Sequence, residues 1–150
     1  MDESRHDFGR GNVRVAINVR VGDEPLSREM AIAATLAEQF GIRVLLRGRN
    51  VAGGDALLTN LAGRRVRAEF KTLQSSSARA FERNVREASR QTGAFPGVVV
   101  IDARAVGTSA LEAEIWLDRA IALVAPRRPK LQEIMVLTHE SIIRRQLGRA

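Results

Sequence analysis

The stretch Val98–Asp102, VVVID, is apolar at four consecutive positions. A strand apolar on both faces has to be covered on both faces, which places it at the centre of a sheet with helices packed against it. The rest of the chain supplies such neighbours. NVRVAINVRV alternates, with Val13, Val15, Ile17, Val19 and Val21 on one face, and reads as a strand. Ser27 is an N-cap for a helix from Arg28 to about Phe40, which Gly41 ends. IRVLLRG is a short strand, and DALLTN and RRVRAEFKTL form a hairpin through LAG. Ser75–Ser77 cap a helix running to about Gln91, which TGAFPG breaks. Thr108 or Ser109 opens a further helix to about Val124, LQEIMVLT is a strand, and HESIIRRQLG reads as a helical tail. The expected class is α/β, a mixed central sheet flanked by helices. Residues 1–26 read as an arm and a strand, and residues 27–150 as the main domain.

Composition narrows the function. The 150 residues are 45% hydrophobic, enough for a real core. Lys and Arg number 24 against 17 Asp and Glu, a net charge of +7, which favours polyanionic partners, nucleic acid first. With no Cys and no Tyr, a disulfide, a thiolate metal site and a cysteine or tyrosine nucleophile are excluded. No apolar run reaches the length of a membrane span.

Three acidic positions stand out. Glu29 lies in the first turn of the first helix, at the centre of the stripe formed by Ile32, Ala33, Leu36, Ala37 and Phe40, while Glu38 lies opposite. It either complements the helix dipole or serves a site. Asp55 follows two glycines and precedes an apolar strand, as a turn aspartate also would. In RAEFKTL, Val66, Ala68 and Phe70 face one way, and Arg65, Arg67, Glu69 and Lys71 the other. That is either a solvent-facing row of charges or, with Asp55 across the hairpin, a convergence of two carboxylates and a lysine.

Asp55 followed by Glu69-x-Lys71 resembles the PD-(D/E)xK signature of the restriction-endonuclease-like nucleases. More narrowly, REMAIAATLAEQFG…GGDALL…RRVRAEFKTLQSS…ASRQTGAFPGVVVID is similar to C-terminal nuclease toxin domains of bacterial contact-dependent inhibition and related polymorphic toxins. The resemblance runs from Ser27 to Thr138, with Gly54 where the family has proline. It implies an αβββαβ core and a Mg²⁺- or Mn²⁺-dependent endonuclease, cutting RNA or tRNA in preference to DNA. It further implies Asp55 and Glu69 as metal ligands and Lys71 and Glu29 as catalytic partners. An acidic immunity protein and delivery as part of an exported effector follow from the same likeness. The alternatives are a DNA endonuclease of resolvase or repair type, or a non-catalytic module that binds nucleic acid or protein. Carboxylate oxygens suit Mg²⁺, and a lysine suits the charge that develops on a phosphodiester under attack.

Arginines near the motif, Arg47, Arg49, Arg64, Arg65 and Arg67, are the candidates for substrate phosphates. Gln91 contacts substrate or Lys71, or is an ordinary helix-terminal glutamine. On the second helix, Phe81, Val85, Ala88 and Thr92 form the inward stripe, and Arg79, Arg83, Arg86 and Arg90 lie opposite, partly paired with Glu82 and Glu87. Such a row is a solvated face or a phosphate track. With 4% aromatic residues, base stacking is not the main mode of recognition.

Overall fold

The computed structural model describes residues 15–18, 27–47, 56–59, 63–92 and 97–147. The chain divides into two compact units between Ala68 and Glu69.

The first unit begins with β1 (Val15–Asn18), α1 (Ser27–Phe40), β2 (Arg43–Arg47) and β3 (Ala56–Thr59), and takes the first half of β4 (Arg65–Thr72). The strand order is β1–β2–β3–β4. β1 and β2 are parallel, with Val15 opposite Val44, and α1 is the crossover that parallel pairing requires. Helix α1 buries Ile32, Ala33, Leu36 and Ala37, the stripe its periodicity predicts, although Phe40 is only half-buried. It stops where Gly41 takes φ +64° and its N–H reaches Ala37 O at 3.0 Å, a left-handed cap that a side chain would strain. β2, β3 and β4 then run antiparallel, and Gly63 (φ +82°) lies in the hairpin connection. The register sets Thr59 opposite Arg65 and Ala56 opposite Ala68.

The second unit holds the rest of β4, then α2 (Ala78–Gln91), β5 (Gly97–Asp102), α3 (Ala110–Val124), a 3-10 turn (Ala125–Arg127), β6 (Leu131–Leu137) and β7 (Ile142–Gln146). The strand order is β4–β5–β6–β7, with β5 and β6 parallel across α3 and β7 antiparallel to β6. Serine caps start both helices: Ser77 Oγ accepts from Ala80 N, and Ser109 forms a capping box with Glu112. β5 is buried at every position, as its apolar run demands. Phe81 of α2 is fully buried and meets Trp116 of α3 with ring centroids 6.1 Å apart and tilted by 53°, a favourable aromatic geometry. Parallel and antiparallel pairs occur in both units, so the chain is α/β with mixed pairing.

One expectation fails here. HESIIRRQLG does not continue as a helix; Ile142–Gln146 is the strand β7. Thr138 and Ser141 close the turn before it: Thr138 N–H donates to Ser141 O at 3.0 Å, and Ser141 N–H donates to Thr138 Oγ1 at 3.0 Å. Pairing β7 with β6 satisfies a row of β6 backbone groups and buries Ile143, and that tertiary gain overrides the local helical preference.

Candidate active site

β4 changes character along its length. Arg65 is exposed, Val66 and Arg67 are half-buried, and Ala68, Glu69 and Phe70 are all buried, so both faces of the strand are covered at its middle. Phe70 anchors one face at 4% exposure, as alternation predicts. The opposite face is not an open row of charges, because Glu69 is only 7% exposed. A carboxylate that far from water needs cations or hydrogen-bond donors beside it. Lys71, two residues on and on the same face, is half-buried, and its Nζ lies 3.3 Å from Glu87 Oε1 on α2.

Glu29 is half-buried in the first turn of α1 and Glu38 is exposed, the difference in burial that the helical phase requires. Asp55 and Arg49 lie outside the described residues. Arg47 ends β2 half-buried. Arg65 and Arg67 pair across the hairpin with Thr59 and Leu57. Gln91 is exposed at the end of α2, and it is Glu87, one turn earlier, that holds Lys71. The sequence offered Glu82 and Glu87 as partners of the arginine row: Glu82 does sit 3.8 Å from Arg86, whereas Glu87 is engaged by Lys71.

A second assembly of charge lies wholly within the second unit. Arg83, Arg86 and Arg90 of α2 line a groove of about 550 Å³ together with Arg127 and Arg128, with Leu123 and Val124 of α3 at its side. Arg79 does not line it. Arg127 and Arg128 are far from α2 in sequence, within APRRP, and their one signal was a pair of arginines between prolines. At the end of β5, Asp102 takes a two-pronged contact from Arg104, Nε to Oδ1 and Nη2 to Oδ2, both at 2.9 Å. That hydrogen bonding raises the Arg104 pKa.

Among the described residues no group of three His, Asp or Glu side chains is placed to hold a metal ion. Glu69 is a hard oxygen donor, the type that suits Mg²⁺. Among the described residues no helix is long and apolar enough to cross a membrane. The chain matches no protein-family model, no curated protein and no solved structure.

Proposed function

We propose that the chain is a metal-dependent endonuclease of the restriction-endonuclease-like kind, acting on RNA or tRNA as a toxin domain. The observation that carries this reading is the register of the β3–β4 hairpin. Ala56 stands opposite Ala68, and their chain neighbours are Asp55 and Glu69. The order α1–β2–β3–β4–α2–β5 supports it as well, since it runs α, three β, α, β as the αβββαβ core does.

In this reading Asp55 and Glu69 hold a Mg²⁺ or Mn²⁺ ion, and Glu69 fits the part as a buried carboxylate with hard oxygen donors. When bound, the ion supplies an activated water and a sink for phosphorane charge. Lys71, oriented by Glu87, donates to the phosphate oxygen on which charge develops. Glu29 completes the site or binds water held around the ion. Arg47, Arg49, Arg65 and Arg67 hold flanking phosphates, and Gln91 contacts substrate near the end of α2. An acidic immunity protein then neutralises the basic surface in the producing cell, and an exported effector carries the domain to its target.

The test pairs cleavage with metal titration. The purified chain, with total RNA, tRNA and plasmid DNA in separate arms, should cut RNA in Mg²⁺ and stop in EDTA. Glu69→Gln and Asp55→Asn should lose cleavage and metal binding together. Lys71→Ala should lose cleavage and keep the metal. Cleavage that persists in excess EDTA, or a Lys71→Ala variant as active as the parent, overturns the reading; cutting of plasmid alone replaces RNA by DNA as the substrate.

A further inference from the structure

The groove between α2 and the Ala125–Arg127 turn carries more positive charge than its own carboxylates balance. Five arginines line it, Arg83, Arg86, Arg90, Arg127 and Arg128, against Glu82 and Glu87. Glu87 is already held by Lys71, and the contact of Glu82 with Arg86 is long and exposed. Arg83, Arg90 and Arg127 make no ion pair with any described residue. Like charges gathered this way repel one another, and an anion bound among them relieves the repulsion.

The shape and chemistry of the groove discriminate between anions. Arg83, Arg86 and Arg90 follow one helix face, and the rise from Arg83 to Arg90 is about 10 Å along the axis. A row of that length can meet successive phosphates along one strand. Guanidinium forks bind phosphate oxygens in pairs, which a flexible lysine cannot do. Among the described residues no aromatic side chain lines the groove, so none of them stacks on a base there. An interface for an acidic protein would need an apolar centre, and among the described residues lining the groove the exposed large apolar side chain is Leu123, at 50% exposure.

We infer that this groove is a docking site for the sugar-phosphate backbone of a nucleic-acid strand, read by charge and without base specificity. It is separate from the arginines assigned to the β4 motif, and it does not depend on cleavage there.

The experiment measures binding without cutting. Fluorescein-labelled oligouridylate is titrated by anisotropy with the full chain carrying Glu69→Gln, over a range of salt. Each lost phosphate contact removes about 0.7 from the slope of log K against log salt for a single strand. Arg86→Ala/Arg90→Ala should therefore make the slope shallower by about 1.4 and weaken binding about 25-fold at 0.1 M salt. The control Arg79→Ala/Arg119→Ala removes the same charge outside the groove and should leave the slope close to that of the parent. Arg86→Lys/Arg90→Lys keeps the charge and should keep the slope, which separates charge from folding; circular dichroism checks each variant. Equal slopes for the groove and control pairs overturn the inference. So does binding of poly-glutamate by a chain that does not bind oligouridylate, which would make the groove a surface for an acidic protein. Cleavage is read in its own assay, so failure of the groove and failure of the β4 motif are told apart.

Discussion

Lys71 Nζ stands 3.3 Å from Glu87 Oε1, so the end of β4 is tied to the middle of α2 by one ion pair. Glu87 also lines the arginine groove, so it touches both the Lys71 side chain and the groove. The Lys71 side chain is 20% exposed and that of Glu87 45%, so water screens the pair. A double-mutant cycle of Lys71→Met and Glu87→Gln, followed by urea unfolding, should give a coupling of about 0.5 kcal/mol. A coupling of several kcal/mol would mean the pair is far drier than its exposure indicates.

Thr72 Oγ1 is buried and finds no hydrogen-bond partner among the described residues. An unmet hydroxyl away from water costs about 1–3 kcal/mol. Thr72→Val keeps the branched shape that suits a strand and removes the unmet group, so it should stabilise the chain by about 1 kcal/mol. Thermal and urea unfolding of the variant check this; a loss of stability would reveal a partner for the hydroxyl.

Gly97 opens β5 against Thr92. A Cβ built at position 97 would lie 2.9 Å from both Thr92 Cβ and Cγ2. Thr92 cannot give way cheaply, because it is 2% exposed and its hydroxyl donates to Ser89 O at 2.7 Å. Gly97→Ala should therefore destabilise by about 1–3 kcal/mol, as overpacking does. Denaturant midpoints measure it, and an unchanged midpoint would show that the end of α2 shifts freely.

Arg144 on β7 grips Glu133 on β6 through two hydrogen bonds, Nε to Oε2 at 2.6 Å and Nη2 to Oε1 at 3.1 Å. Glu133 is 8% exposed. Arg144→Ala strands that carboxylate and should cost about 1–2 kcal/mol, discounted because the arginine is itself partly exposed. The double variant Glu133→Leu/Arg144→Leu should recover most of the loss, because no buried charge remains. Equilibrium unfolding of the three proteins decides it.

The elements with chemical punctuation were legible in the sequence. Ser77 and Ser109 cap α2 and α3, Gly41 ends α1, and the apolar run of β5 announced a strand covered on both faces. β7 was not, because ESIIRRQ carries no breaker, and only the edge of β6 decides that it extends rather than coils. The alternation of RAEFKTL gave the two faces of β4 correctly. It could not tell that Glu69 would be covered while Arg65 stays in water, since burial depends on neighbours far along the chain. The groove was half visible. Periodicity set Arg83, Arg86 and Arg90 in a row on α2, but nothing local says that Arg127 and Arg128 return to meet them.

The placement of β7 matters during synthesis. β6 carries five successive buried residues, Glu133–Leu137, and one edge of it is covered by a strand that the ribosome makes afterwards. Until Ile142–Gln146 has emerged, the nascent chain presents an apolar strand with unmet backbone groups, a template for pairing with another nascent chain. A stalled or truncated product ending before Ile142 therefore becomes an aggregation seed, and β7 acts as the seal on that edge.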